Sequence, residues 1–246
     1  KLTLIRCVLM HFGFFIFFIS LEKLSLSTVT ALFFAAPFFI TILSALVLSE
    51  RIGLIRVLII VLGFIGVFLI VKPFKESEFS FFMLAPLFTA FSYAVAMVIS
   101  KYTKENENAF LQAFQQYSVS LLLSVITYTI ILAFPLDMID KEEWRFIFGS
   151  IKFDDYNILI SIAILSIFGT LGMTSLIHAY QVGSPITNGP TEYVLLILAI
   201  INGYFFFGNI PDYLSLAGII LIILGGWALF FREHKRNKLG TKVSPT

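Results

Sequence analysis

Apolar residues occur along the chain in about eight runs, separated by short polar interruptions such as Glu22-Lys23 and Lys101–Asn108. A helix that crosses a bilayer needs roughly 20 predominantly apolar residues. Most of these runs reach that length. The pattern therefore predicts about eight transmembrane helices, near residues 4–21, 27–48, 54–71, 80–100, 109–134, 157–180, 187–207 and 212–231.

The composition points to the same class of protein. Hydrophobic residues make up 59% of the chain, which has 29 phenylalanines, and charged residues make up 13%. A soluble domain needs more charged surface than this, so we predict an all-α polytopic membrane protein embedded in a lipid bilayer. The formal net charge of +2 argues against a nucleic-acid partner. The only cysteine, Cys7, has no second cysteine for a disulfide or a metal site, and we expect no metal and no cofactor.

Basic residues divide unevenly between the two sides of the predicted bundle. An even number of spans places both ends on one side, with Lys1, Arg6, Arg51, Arg56, Lys101, Lys104, Arg232, Lys235, Arg236, Lys238 and Lys242. The other side has Lys23, Lys72, Lys75, Lys141, Arg145 and Lys152. Because loops rich in Lys and Arg stay in the cytoplasm, we expect both termini there. The acidic connection 135–157 then lies outside a bacterial inner (plasma) membrane.

The chain aligns with itself at an offset of about 159 residues, which places Glu50 on Asn209. The offset pairs Gly13 with Gly172, Ser25 with Ser184, Thr28 with Thr187, and Gly66 with Gly225. Five predicted spans separate equivalent helices, so the second copy enters the membrane from the opposite side. Inverted repeats of this kind build many secondary transporters. A chance alignment of apolar helices is the alternative.

The offset divides the chain into three parts. Residues 1–74 hold the last three helices of a first repeat, residues 75–232 a five-helix second repeat, and residues 233–246 a basic cytoplasmic tail. The first repeat shows three of its five spans, and the sequence does not begin with methionine. We therefore expect ten helices in the intact protein, arranged as two inverted five-helix repeats.

The segment 31–72 resembles the EamA-type repeat of the drug/metabolite transporter superfamily. The similar features are Pro37 midway along a helix, Leu48-Ser49-Glu50-Arg51 at its end, and the region 63–66 before Lys72-Pro73. The second copy is similar in Pro190-Thr191-Glu192-Tyr193, in 208–212, and in Gly218 and Gly225. This half is most similar to a branch that includes S-adenosylmethionine and riboflavin uptake carriers. The resemblance implies ten helices around a central solute cavity, although Asn209 stands where the family often has a glutamate.

Polar side chains within the spans are the candidates for a solute site, because they are costly in hydrocarbon. In the span 109–134, polar residues recur every three to four positions and should share one inward face. The substrate-cavity candidates are Tyr93, Gln112, Gln115, Gln116, His178, Glu192, Tyr193 and Asn202. Helix packing is the alternative for the amides, and a structural role is the alternative for His178.

Four positions have more specific predicted roles. Glu192 could bind a cationic group or carry a coupling proton, and the alternative is a carboxylate at the interface or at a helix N-terminus. Pro37 is predicted as a hinge, because its missing N–H frees a backbone carbonyl. Glu50 and Arg51 are predicted to cap a cytoplasmic helix end, with a gate contact as the alternative.

These features favour one function class. The sequence has no Walker motif, no His-Glu-x-x-His, no Gly-x-Ser-x-Gly and no paired intramembrane aspartates, so we expect neither an ATP-driven pump nor an enzyme. We predict a secondary transporter that moves a small organic metabolite by alternating access, with a coupling proton as a further partner. A homodimer is left open. The alternative is a non-transporting membrane scaffold or assembly protein.

Overall fold

The computed structural model describes residues 1–24, 26–49, 53–71, 81–133, 156–195, 198, 201, 205 and 212–240. Among these residues there are helices and turns but no strand, so the predicted all-helical class is confirmed. The helices are α1 (Leu2–Ser20), α2 (Leu26–Phe33), α3 (Ala36–Val47), α4 (Leu54–Val71), α5 (Leu84–Tyr102), α6 (Ala109–Ala133), α7 (Tyr156–Val182), α8 (Pro185–Thr191) and α9 (Tyr213–Gly240). A 3₁₀ turn at Phe81–Met83 precedes α5.

Several helices are suited to a bilayer by length and composition. Within the described ranges, four are long and apolar enough to cross a membrane: Leu2–Ser20, Leu84–Tyr102, Ala109–Ile130 and Tyr156–Val182. Shorter apolar helices cover Ala36–Val47, Val57–Ile70 and Leu216–Gly225. This is the architecture of a polytopic membrane protein. The total of eight spans stays a prediction.

The predicted span 27–48 is two helices rather than one. Pro37 occupies the first turn of α3 and has no N–H to donate to the Phe33 carbonyl four residues earlier. The chain turns tightly at Phe34-Ala35, where Ala35 N donates to Leu32 O at 3.1 Å and Phe38 N donates to Ala35 O at 3.0 Å. The proline therefore ends α2 and allows a new helix to begin.

The predicted span 187–207 is interrupted as well. α8 ends at Thr191, Glu192 and Tyr193 form a turn, and Val194 and Leu195 are helical again. Leu195 N donates to Glu192 O at 2.9 Å, which closes this turn. The apolar pattern predicts the segment but not its interruption.

Glycines allow the helices to approach closely. The most extensive helix contacts are α4 with α9 and α1 with α5. A methyl group at Gly218 of α9 would lie 2.5 Å from the carbonyl oxygen of Gly66 in α4. Between α1 and α5, Thr89 Oγ1 donates to the carbonyl of Gly13 at 2.7 Å. Small residues at helix contacts are typical of membrane bundles.

One end of the bundle gathers the starts of α1 and α6 and the ends of α5 and α7. Arg6 of α1 contacts Gln112 of α6 there, and Lys101 of α5 contacts Gln181 of α7. We call it the Lys101 end. An apolar core lies between α1, α3, α5 and α7, and its buried members include Met10, Ile40, Met97 and Tyr180.

Candidate functional site

The two helix interruptions contact each other. The Phe34 and Tyr193 rings lie 5.8 Å apart between centroids, and Tyr193 Oη approaches the Phe34 carbonyl oxygen at 3.5 Å. Gly63 of α4 leaves room for this ring, because a methyl group there would overlap Tyr193 Cε2. The interruptions therefore form one junction between the segments that carry them.

The carboxylate of Glu192 lies at this junction and is held by two tyrosines. Tyr93 of α5 donates to Glu192 Oε1 at 2.7 Å, and Tyr180 of α7 donates to the same oxygen at 2.5 Å. Both tyrosines are buried, while Glu192 as a whole residue is partly exposed. Within the described part of the chain, Oε2 accepts no hydrogen bond. We call Tyr93, Tyr180 and Glu192 the Glu192 cluster.

Aromatic rings surround the Glu192 cluster. Phe33, the last residue of α2, packs edge-on against Tyr93 with 5.5 Å between ring centroids. Tyr193 follows Glu192 directly and is 2% exposed. A carboxylate beside aromatic rings suits a cation, because it supplies the negative charge and aromatic rings also attract positive charge. The arrangement can bind a cationic group or exchange a proton.

A cavity of about 550 Å³ lies between α1, α6 and α7. One wall is a polar strip on α6 made of Gln116, Ser120 and Ser124, which are spaced by one helical turn. The facing wall is mainly aromatic and aliphatic. The lining residues are Met10, His11, Phe14, Phe15, Phe18, Gln116, Tyr117, Ser120, Ser124, Gly169, Met173 and Leu176. Ligand cavities typically measure roughly 300–1,000 Å³ and combine apolar walls with a few polar groups, so this one is large enough for an organic solute.

Gln112 serves a different purpose from Gln116, one turn further along α6. Its side-chain oxygen and its carbonyl oxygen accept hydrogen bonds from Arg6 at 3.1 and 2.8 Å. Its amide nitrogen donates to Thr103 Oγ1 at 3.0 Å. Arg6 is 1% exposed and also donates to Ser100 Oγ at 3.3 Å. Gln112 therefore accepts two of the hydrogen bonds of a buried arginine that joins α1, α5 and α6.

These helices and their arrangement correspond to a known class of membrane protein. Over residues 1–72 and 80–231, the sequence matches the EamA-like transporter family. The chain belongs to this family. The match covers both parts of the chain that were predicted as repeats, and the predicted resemblance is thereby confirmed. As a member of the EamA-like family with apolar helices, the protein is an integral membrane protein.

Named relatives of this EamA-like protein are transporters of bacteria. An S-adenosylmethionine uptake transporter of Rickettsia conorii is 26% identical over 235 residues, which are 94% of this chain and 72% of the relative. A pseudopaline exporter of Pseudomonas aeruginosa is 25% identical over 228 residues, which are 93% of this chain and 74% of the relative. One solved crystal structure shares the fold with a TM-score of 0.71 at 16% identity, covering 94% of this chain and 77% of that chain.

In this EamA-like chain the predicted site residues separate into distinct places. Tyr93, Glu192 and Tyr193 lie together at the junction, whereas Gln116 lines the cavity. Gln115 is partly buried, and its Oε1 has no partner among the described residues. Pro37 begins the second half of an interrupted segment, and His178 is exposed on α7. Glu50, Arg51 and Asn202 lie outside the described residues.

Two contributions were not recognised from the sequence. Arg6 was counted as a charge flanking the membrane, but it is buried in the bundle and bonded to Gln112. Tyr180 is one of many aromatic residues in the sequence, and its hydroxyl donates to Glu192. Their partners are 106 and 12 residues away along the chain, and no local pattern pairs them.

Proposed function

We propose that this EamA-like protein is a secondary transporter that moves a small organic solute across the bacterial inner membrane by alternating access. The observation that carries the proposal is the contact between two interrupted membrane segments with the Glu192 carboxylate at their junction. Discontinuous helices in corresponding positions of two repeats mark the substrate and ion sites of many secondary transporters.

Several equivalences support the two-repeat arrangement. The offset of 159 residues relates the start of α2 at Leu26 to the start of α8 at Pro185, and the start of α4 at Leu54 to that of α9 at Tyr213. It also relates Phe34 to Tyr193, the two ring partners at the junction. Residues that are equivalent in sequence thus begin or interrupt equivalent helices.

Helix contacts agree with a two-fold relation between the repeats. Gly66 packs against Gly218, and Gly225 packs against Ile59. Gly225 lies 159 residues after Gly66, and Ile59 lies 159 residues before Gly218. The repeat offset therefore converts the first pair of contacting residues into the second. In addition, α1 begins at the Lys101 end whereas its counterpart α7 ends there. Opposite directions of this kind are what inverted repeats require.

Glu192 is the polar centre of the proposed mechanism. Its counterpart at the same offset is Phe33, so the charge belongs to one repeat only. In the proposed cycle, Glu192 takes either the cationic group of the solute or the coupling proton, and the Tyr93 and Tyr180 hydroxyls orient the carboxylate. Intramembrane carboxylates commonly mark substrate or proton pathways.

The cavity between α1, α6 and α7 is the proposed route of the solute to the junction. Met173 and Leu176 belong both to its lining and to the apolar residues packed against the core cluster that contains Tyr93 and Tyr180. The Lys101 end is proposed to face the cytoplasm, because Lys1, Lys101 and Lys104 lie there and basic residues favour that side.

A transport screen tests the proposal. The protein is reconstituted in vesicles, and uptake and export of lysine, S-adenosylmethionine, adenosine and riboflavin are measured against protein-free vesicles. Both directions are needed because one named relative is an uptake transporter and another is an exporter. Gly172→Ala serves as a neutral control, since nothing lies within 4 Å of the added methyl group. Saturable movement of one solute is expected. If no solute moves or raises the thermal midpoint of the protein, the scaffold alternative replaces the transporter.

A further inference from the structure

Lys101, near the end of α5, holds the end of α7. Its ammonium nitrogen donates to three consecutive carbonyl oxygens at 2.8, 3.3 and 2.7 Å, those of Gln181, Val182 and Gly183. The last carbonyls of a helix have no donor within the helix, and a cation beside them also interacts favourably with the helix dipole. The Lys101 side chain therefore stabilises both the end of α7 and the turn that leads into α8.

The turn between α7 and α8 is braced by further contacts. Gln181 Nε2 donates to the carbonyl of Glu107, just before α6, at 2.8 Å. Asn188 Nδ2 of α8 donates to the carbonyl of Ala179 in α7 at 2.6 Å. Gly183 packs closely against Asn188, since a methyl group there would lie 2.7 Å from Asn188 Nδ2 and would displace this side chain. The position of α8, and so of Glu192 after it, follows the end of α7.

α5 contacts α7 and α8, which we call the α7–α8 unit, at two positions along its length. Tyr180 directly precedes the carbonyls that Lys101 holds, and its hydroxyl donates to Glu192. Tyr93 lies eight residues before Lys101 on the same helix, about 12 Å away along its axis, and donates to the same carboxylate oxygen. The Lys101 contact and the Glu192 cluster are thus two sets of hydrogen bonds that connect α5 to the α7–α8 unit.

We propose that Lys101 is a positioning residue for Glu192 and closes the Lys101 end while the Glu192 cluster is intact. A cationic solute group or a proton on the carboxylate reduces its negative charge and so weakens the hydrogen bonds that Tyr93 and Tyr180 donate to it. Lys101 then remains as a polar contact between α5 and the end of α7. Release of Lys101 then allows α7 and α8 to move away from α5 and α6. The inference rests on the proposed function and adds the residue that links its site to the closed end.

Cysteine alkylation measures this opening without any solute. In a Cys7→Ser background, Ala113→Cys on α6 is the reporter, because Ala113 is 2% exposed and packs with Ile177 of α7. Ile59→Cys on α4 is the control, because Ile59 is 4% exposed and lies against Gly225 of α9, away from the α5–α7 contact. The rate of reaction with N-ethylmaleimide in reconstituted vesicles is followed by mass spectrometry. Such rates follow the population of the open form.

Lys101→Met removes the charge and all three hydrogen bonds. It should raise the alkylation rate at the Ala113→Cys reporter by roughly threefold to tenfold, the range expected for losing polar helix contacts in a membrane. Tyr180→Phe should raise this rate as well, because it removes the hydrogen bond from Tyr180 to Glu192. Lys101→Arg keeps a cation with several donors and should restore the rate to within about twofold of the parent. The Ile59→Cys control should not change.

Three results would overturn the proposal. An unchanged rate at the Ala113→Cys reporter in Lys101→Met means that Lys101 does not hold the end of α7. Equal increases at both reporters mean a general loss of stability. A Lys101→Arg variant that reacts like Lys101→Met means that the charge is irrelevant. Since no solute is involved, a failure of the transport screen leaves this measurement intact, and a negative result here leaves the screen intact.

Discussion

The contact between α4 and α9 can be tested by adding one methyl group at either of two glycines of α9. In Gly218→Ala, the methyl group would lie 2.5 Å from the Gly66 carbonyl oxygen and 2.8 Å from Ile70 Cγ1. The nearest of these atoms is backbone, so the helices have to separate. In Gly225→Ala, the nearest atoms are Ile59 Cγ2 at 3.7 Å and the Ile59 carbonyl oxygen at 3.8 Å, which is ordinary contact.

The two substitutions are therefore expected to have different effects on the free energy of unfolding. Overpacking costs about 1–3 kcal/mol, and replacing a helical glycine by alanine returns about 0.8–1 kcal/mol in helix propensity. Gly218→Ala should lower the free energy of unfolding by up to about 2 kcal/mol. Gly225→Ala keeps only the propensity term and should leave the free energy of unfolding unchanged or raise it by up to about 1 kcal/mol.

The assay is unfolding of the purified protein in mixed micelles by a denaturing detergent, followed by tryptophan fluorescence. The chain has two tryptophans, and Trp227 lies on α9 itself. Both variants share the same helix and the same chemical change, so each controls for the other. Equal destabilisation by the two substitutions, or a larger loss in Gly225→Ala, would refute the close contact at Gly66.

Two further predictions concern single residues of the bundle. Gln112→Leu should lower the free energy of unfolding by about 1.5–3 kcal/mol, because the buried Arg6 loses a hydrogen bond to its charged group; Gln115→Leu is the control in the same titration and should cost less than half of this. Pro37→Ala restores an amide donor for the Phe33 carbonyl, so hydrogen–deuterium exchange at residues 34–38 should slow, and unchanged exchange would show that the proline does not cause the interruption.

The helices were predictable because each rests on a local property. An apolar run of sufficient length is visible in the sequence. Pro37 is visible as well, but the pattern predicts one span over 27–48, whereas the structure has two helices there, with Pro37 in the first turn of α3. The interruption after Thr191 was not predicted, because the apolar pattern continues beyond it. At this interruption Tyr193 contacts Phe34, 159 residues earlier, and a local pattern does not contain this contact.

The site was only partly predictable for a related reason. Glu192 stands out because it is a charged residue in a hydrophobic segment. Its partner Tyr93 is 99 residues away, and the sequence has many other aromatic residues, so the pairing was not visible. Gln112 and Gln116 follow the same periodic stripe, yet one holds Arg6 and the other lines a cavity. Periodicity identifies a face of a helix, whereas the identity of the facing helix depends on the tertiary fold.

Glu192 at the helix junction is the proposed polar centre of solute transport. Its most direct test is the initial transport rate of reconstituted Glu192→Gln for the solute found in the screen, compared with the parent and with Gly172→Ala. The substitution keeps the shape of the side chain and removes its charge. We expect a rate at least tenfold below that of the parent, which corresponds to about 1.4 kcal/mol or more in the barrier, and an unchanged rate in Gly172→Ala. A Glu192→Gln rate equal to that of the parent, with the same pH dependence, would show that the Glu192 carboxylate is not needed for transport.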